Sequence, residues 1–135
     1  AKRQIQLPTE AQWEYACRAG TTNNDVGPVY ELGWHDNCGY PRHPHTVGEK
    51  SANAFGLYDM FGNIGEWCAD WYGNNYYETT PSDDPKGQEQ GSARILRGGA
   101  WGQHAASCMP FTRTSLKPLS RYLYYGFRIT SPVSK

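Results

Sequence analysis

Aromatic side chains must supply most of the core of this protein, because aliphatic side chains are scarce. Ile, Leu, Val and Phe together number 19 of the 135 residues, and Trp, Tyr and Phe together also number 19. Each buried aromatic ring removes about 150–250 Å² from water, so the chain has enough bulk for one modest core. The ten Tyr and five Trp carry polar atoms. We therefore expect them to find hydrogen-bond partners or to lie at a binding surface.

The charge balance and the hydropathy pattern exclude two classes of partner. Thirteen Lys and Arg offset thirteen Asp and Glu, so the formal net charge is zero. A dedicated nucleic-acid binder normally shows a basic excess or stripe, so we expect no nucleic-acid partner. No apolar run approaches the roughly 18 residues that a membrane span needs, and the first residues lead into no apolar signal segment. We therefore expect no membrane span.

The four cysteines give no metal-binding pattern. Cys17, Cys38, Cys68 and Cys108 are too far apart in the chain to form a Cys-x-x-Cys pair, which argues against a zinc site. Two disulfides and four thiols both remain open. The chain is not dense in cysteine, which favours thiols.

The strongest helix signal lies near the start of the chain. Thr9 precedes residues 10–19 and can cap a helix there, with Gln12 completing a capping box. Gly20 suits a left-handed exit from the helix. Trp13, Ala16 and Cys17 recur at helical spacing and predict its buried stripe.

The rest of the chain predicts short strands between long loops. Residues 64–72, with Trp67 and Trp71 on one face, residues 94–97 and residues 124–130 favour strands. Residues 21–50 and 73–92 are rich in Gly, Pro and polar residues and predict loops. One helix with several short strands indicates a single α+β domain over residues 1–135.

Four segments, in this order, resemble the formylglycine-generating, sulfatase-modifying-factor family. They are residues 7–16 (LPTEAQWEYA), residues 53–63 followed by Glu66-Trp67 (NAFGLYDMFGN, EW), residues 94–101 (RILRGGAW) and residues 126–128 (GFR). The resemblance implies the C-type lectin fold of the formylglycine-generating-enzyme type. The family's usual N-terminal strands are absent, so we expect a compact version of the fold or the C-terminal part of a longer protein.

The family contains two kinds of protein with different functions. One is an oxidase that converts a substrate cysteine to formylglycine with two copper-holding cysteines. The other is the variable protein of a diversity-generating retroelement, which displays a hypermutated C-terminal segment as a ligand-binding surface. Surface display or secretion, from a prokaryotic or viral source, is implied for this chain by the resemblance alone.

The residues at the oxidase positions argue against catalysis. Aligned on Gly98-Gly99, Ala100 replaces the expected serine and Gln103 replaces the first cysteine, while Cys108 falls on the second. One thiol alone makes a poor Cu(I) site, so we expect no copper and no enzyme activity. Cys108 is then a small buried hydrophobic residue.

The resemblance also implies a calcium site. Asp59, Gly62, Ile64 and Glu66 fall on the positions from which the family holds Ca²⁺ with side-chain and backbone oxygens. Hard oxygen ligands suit this ion. The alternative is that Asp59 and Glu66 make turn hydrogen bonds without metal. Gly65 departs from the family's usual Trp, which loosens the turn.

The C-terminal segment, residues 101–128, keeps a skeleton between residues that follow no amphipathic rule. The skeleton comprises Trp101, Ala105, Cys108, Arg113, Pro118, Arg121 and Gly126-Phe127-Arg128, and its arginines are expected to pin loops. The residues between the skeleton include Tyr, Leu, Ser, Thr, Phe and His, which adenine-directed mutagenesis of Asn codons yields. Tyr and Ser are also common in antibody paratopes, where they contact ligand. The predicted ligand-binding residues are Gly102, Gln103, His104, Ala106, Ser107, Met109, Phe111, Thr114, Ser115, Leu116, Lys117, Leu119, Ser120, Tyr122, Leu123, Tyr124 and Tyr125.

The leading hypothesis is a non-enzymatic protein that binds a protein or another surface ligand. The alternatives are an oxidase with a divergent active site and a structural interaction domain of the same fold without a retroelement. The aromatic residues divide accordingly. We expect the five Trp to build the core, and Phe111, Tyr122, Tyr124 and Tyr125 to build the site.

Overall fold

The fold is a small four-stranded sheet with one helix of more than a single turn. The structure is a computed structural model that describes residues 4–38, 42–80 and 83–131. Its helices are α1 (Glu10–Arg18), α2 (Val29–Leu32) and α3 (Tyr76–Thr79); its strands are β1 (Gly65–Trp71), β2 (Arg94–Arg97), β3 (Thr114–Leu116) and β4 (Tyr125–Gly126); a 3-10 turn covers Ala105–Cys108. This arrangement confirms the α+β class.

Helix α1 begins where its capping signals predict. The Thr9 hydroxyl accepts a hydrogen bond from the Gln12 backbone N–H at 3.2 Å, and the Gln12 side chain accepts one from the Thr9 backbone N–H at 3.1 Å. Two of the free N–H groups at the helix start are thus satisfied by local side chains. The left-handed exit starts at Ala19, with φ of 47°, one residue before the predicted Gly20.

The sheet order is β3-β2-β1-β4. β2 pairs antiparallel with both β1 and β3, while β4 pairs parallel with β1. The registers bring Glu66 opposite both Arg97 and Gly126. The two strands of the C-terminal segment, β3 and β4, therefore form the two edges of the sheet.

The core lies between α1 and one face of β1. Along β1 the side chains of Glu66, Cys68 and Asp70 are buried, whereas Trp67 and Trp71 are partly exposed on the opposite face. The buried apolar cluster contains Trp13, Cys17, Met60, Phe61, Cys68 and Ile95. All four cysteines are free thiols, as the sequence favoured.

Residues 117–124 connect the two edge strands, and we call them the crossover. Since β3 and β4 lie at opposite edges, the crossover traverses the whole sheet. Pro118 from the crossover and Trp67 and Ala69 from β1 line one cavity of about 640 Å³. The crossover thus passes over the sheet face opposite α1.

Several local expectations were wrong. The region of the predicted last strand, 124–130, contains only the two-residue β4, with a separate bridge between Gln6 and Thr130. Strand β3 was missed, and α3 is a helical turn inside a predicted loop. Of the five Trp only Trp13 is fully buried. The others are partly exposed: Trp34 stacks on His45 and Trp101 on Tyr124, Trp67 meets Tyr125 edge-on, and the Arg94 guanidinium lies over Trp71.

No helix within the described residues is long and apolar enough to cross a membrane.

Candidate ligand-binding surface

None of the seventeen predicted ligand-binding residues is buried. Seven are partly exposed, namely Gln103, Ser107, Met109, Ser115, Leu116, Ser120 and Tyr125. The other ten are exposed, namely Gly102, His104, Ala106, Phe111, Thr114, Lys117, Leu119, Tyr122, Leu123 and Tyr124. The structure therefore brings the whole set to the surface, on the β2–β3 connection, on β3, on the crossover and at the start of β4.

Within the β2–β3 connection, the backbone at Gly99 lies very close to Cys108. Gly99 has φ of 67°, and a Cβ atom there would lie 2.6 Å from the Cys108 sulfur. Only glycine therefore lets the 3-10 turn, Ala105–Cys108, pack against the end of β2. His104 starts this turn, and its Nδ1 accepts a hydrogen bond from the Ala106 N–H at 3.3 Å.

Four of the predicted residues surround one shallow depression. Gln103, Ser107, Thr114 and Tyr125 line it above Gly65 and the Gly98-Gly99 pair, and its volume is about 10 Å³. This volume is about that of a single water probe, so the surface here offers contact area instead of a substrate cavity.

Gly65 makes room for one of these residues. A Cβ atom on Gly65 would lie 3.0 Å from Cδ1 of Tyr125 and 3.4 Å from the Tyr124 carbonyl oxygen. The Gly65 N–H donates a hydrogen bond to that same oxygen at 2.8 Å. The Tyr125 ring thus occupies the space that a side chain at position 65 would fill, and Tyr125 pairs with Gly65 across the β1–β4 ladder.

Aromatic rings continue across the end of the sheet. Trp101 stacks on Tyr124 with the ring centroids 5.0 Å apart, and Tyr125 meets Tyr122 edge-on at 5.8 Å and Trp67 at 6.5 Å. Burial, together with the neighbouring Tyr122 and Tyr124, raises the pKa of the Tyr125 phenol. Neither Tyr124 nor Tyr125 enters the core.

A larger cavity beside Phe111 was not predicted. Its volume is about 560 Å³, and Tyr15, Arg18, Tyr77 and Arg113 contribute to its walls. Tyr77 comes from α3, which the sequence assigned to a loop, and Tyr15 comes from the exposed side of α1. No local pattern connects these residues, because they are 62 positions apart in the chain.

One buried carboxylate, that of Glu10, helps to hold residues 110–113 of the C-terminal segment in place. Arg113 donates to both oxygens of Glu10, from Nε at 2.7 Å and from Nη2 at 2.9 Å. Arg97 also reaches Glu10 at 3.3 Å, and it donates to the backbone carbonyls of Pro110 and Thr112. Glu10 and Arg97 are each 1% exposed. Arg113 is therefore a scaffold residue, as predicted.

Arg121 does not share this role. It is exposed, and among the described residues it makes no hydrogen bond or ion pair. The expectation that Arg121 pins a loop was wrong, because no carboxylate or carbonyl group of the described residues accepts a hydrogen bond from its guanidinium.

The proposed calcium ligands lie on one tight turn, but their carboxylate oxygens differ in how many hydrogen bonds they already accept. Arg128 donates to both oxygens of Glu66, at 2.5 and 2.8 Å, and the Trp13 indole donates to one of them at 2.7 Å. Asp59 accepts from the Gly48 N–H through one oxygen at 2.8 Å, while its other oxygen is buried without a partner among the described residues. Asp59 thus fits a cation ligand better than Glu66 does.

Cys108 lies in an environment that disfavours its thiolate. Its side chain is fully buried, and this burial raises the pKa of the thiol to about 12. Ala100, at the oxidase serine position, is also fully buried. Among the described residues no three His, Cys, Asp or Glu side chains form a group that could hold a metal ion.

Comparison with known proteins agrees with this architecture. The sulfatase-modifying factor enzyme 1-like domain matches residues 1–132. The chain belongs to this family. Formylglycine-generating enzyme from Streptomyces coelicolor is 38% identical over 90% of this chain, and the serine/threonine-protein kinase pkn1 from Chlamydia caviae is 36% identical over 94% of it.

One of the solved structures similar to this chain is that of a variable protein. Treponema denticola variable protein 1 matches 95% of this chain with a TM-score of 0.85 and 35% sequence identity. The match covers 48% of that chain, and the two sequence relatives are covered over 45% and 21% of their lengths. This sulfatase-modifying-factor domain therefore spans less than half the length of each of these relatives.

Proposed function

We propose that this domain is a non-enzymatic ligand-binding protein, the variable protein of a diversity-generating retroelement. One observation carries the proposal: the seventeen predicted ligand-binding residues all lie at the surface, while two skeleton residues, the buried Cys108 and the Glu10-bound Arg113, hold the segment to the fold. The exposed Leu and Tyr side chains among the seventeen are Leu119, Leu123, Tyr122 and Tyr124. A patch of exposed apolar side chains typically marks an interaction site on a monomer surface. The likeness to variable protein 1 supports the same function.

Sequencing of the gene and its neighbourhood tests the retroelement. We expect a reverse-transcriptase gene nearby and a template repeat that differs from the gene only at adenines. Copies from many cells should vary at the seventeen codons and keep those of Trp101, Cys108 and Arg113. If neither the reverse-transcriptase gene nor the template repeat is found, a structural interaction domain of the same fold is the better description.

The oxidase is the second candidate, because the formylglycine-generating enzyme of Streptomyces coelicolor is a 38% identical relative. The replacement of the serine and the first cysteine by Ala100 and Gln103, and the high pKa of the Cys108 thiol, argue against it. The assay is copper-dependent oxidation of a cysteine-containing sulfatase peptide. We expect no turnover, and turnover that Cys108→Ala abolishes would establish the oxidase instead.

A further inference from the structure

The zero net charge of the chain conceals a strong asymmetry. All thirteen acidic residues lie before residue 101, whereas five of the thirteen Lys and Arg lie after it. The C-terminal segment that carries the proposed ligand surface therefore has basic residues and no acidic one.

Of the four basic residues within residues 101–128, two are already neutralised. Arg113 is paired with Glu10, and Arg128 is paired with Glu66. Lys117 and Arg121 are exposed and have no ion-pair or hydrogen-bond partner for their side chains within the described part of the chain. Both lie on the crossover, so its positive charge is available to a ligand.

Apolar side chains alternate with these two cations. Leu119 is 88% exposed, Leu123 is 79% exposed and Tyr122 is 59% exposed. A turn closed by the Ser120 N–H and the Lys117 carbonyl at 2.9 Å shapes the first half of the crossover. A ligand that covers the crossover must therefore offer apolar contact area and negative charge together.

We propose that the ligand of this surface is an acidic polypeptide, whose Asp or Glu side chains sit beside apolar ones. This inference rests on the proposed function, and it adds the chemical class of the partner. Complementary charge across an interface steers association and rejects wrong partners. Two free cations are too few for a nucleic-acid stripe or for an anionic lipid surface, which attracts clusters of about four to eight Lys and Arg.

Selection from a library of random peptides of about twelve residues, displayed on phage, tests the inference on the full chain. We expect the enriched peptides to contain more Asp and Glu than the starting library, together with Leu or aromatic residues. The best acidic peptide should lose about tenfold in affinity when the salt concentration rises from about 0.05 M to about 0.5 M.

Charge-reversal variants identify the cations responsible. Lys117→Glu and Arg121→Glu should each weaken binding of that peptide about fivefold, mainly through slower association. Lys86→Glu is the matched control, because Lys86 is equally charged and exposed but lies in the loop before β2, paired with Asp84. It should leave binding unchanged within about twofold.

The outcomes separate this inference from the proposed function. Enriched peptides that lack acidic residues, yet lose binding in Tyr122→Ser, would overturn the acidic ligand and leave the binding function intact. If no enriched peptide depends on Tyr122, Leu123 or Lys117, the proposed function fails and the inference fails with it.

Discussion

At the scale of single residues, the arginines show how burial separates a scaffold role from a surface role. Arg113 and Arg121 are eight positions apart in one segment, and sequence alone gave them the same expected function. Arg113 meets the buried Glu10, whereas Arg121 faces solvent. Arg113 differs from Arg121 because it meets the Glu10 carboxylate, which lies 103 positions away in the chain. A local sequence pattern cannot predict such a contact.

Replacing Arg113 by Ala should lower the free energy of unfolding by about 2 kcal/mol, because Glu10 then loses two charge-assisted hydrogen bonds in a buried site. Arg121→Ala removes the same side chain from an exposed position and should change stability by less than about 0.5 kcal/mol. Urea denaturation of both variants measures the contrast. Equal losses would contradict the assignment of Arg113 to the scaffold.

Asp70 should make stability depend on pH. Burial raises the pKa of its carboxyl from 3.8 to about 6, although the Glu10 N–H donates to it at 2.7 Å. The folded state therefore holds the Asp70 proton more tightly than the unfolded state. Its contribution to stability is present below about pH 4 and is lost as the pH rises to about 6, by up to about 3 kcal/mol.

Asp70→Asn tests this dependence, since the amide oxygen can still accept from Glu10. Urea denaturation between pH 4 and pH 7 should show the variant gaining stability relative to the wild type as the pH rises. The comparison cancels groups that titrate in both proteins. Parallel curves would mean that Asp70 does not titrate in this range.

At the scale of elements, prediction succeeded where hydrogen bonds close within a few residues. The capping box of α1 and the apolar patterns of β1 and β2 lie in contiguous sequence, and all three elements form where expected. β3 forms from the residues TSL only because β2 offers an edge to pair with. Such a strand has too little intrinsic pattern to predict.

The turn from Asp59 to Glu66 remains a predicted calcium site. On this prediction, a few millimolar Ca²⁺ raises the midpoint of thermal unfolding of the wild type, because a ligand that binds only the folded state stabilises it. Asp59→Asn should abolish the rise, whereas Asp83→Asn, in an exposed loop, should keep it. No rise in the wild type would favour the alternative, in which Asp59 and Glu66 accept hydrogen bonds without a metal.

At the scale of the whole molecule, the sheet separates the core from the crossover, which carries part of the proposed ligand surface. The buried cluster around Trp13 and Ile95 lies on the α1 side, and the crossover lies on the other. Substitutions in the crossover can therefore alter the proposed ligand surface without opening the core, as the proposed function requires.

This separation predicts how the protein tolerates mutation. Leu119→Ser and Leu123→Asn, at highly exposed positions, should change the free energy of unfolding by less than about 0.5 kcal/mol. Ile95→Ala, at a fully buried position, should cost about 3 kcal/mol through lost contacts and the cavity that it leaves. Thermal or urea unfolding of the three variants is the measurement. A large loss from either leucine variant would place the crossover in the core.

The sequence by itself determined the family, the α+β class, helix α1 and strands β1 and β2, because these depend on motifs and on short-range capping and periodicity. It also identified seventeen residues of the C-terminal segment that all reach the surface. Only the tertiary structure decided the sheet order, the pairing of Arg113 with Glu10, the fit of Tyr125 above Gly65 and the exposure of four of the five Trp. These depend on contacts between residues distant in the chain, where burial and hydrogen-bond partners are fixed by packing and not by neighbouring residues.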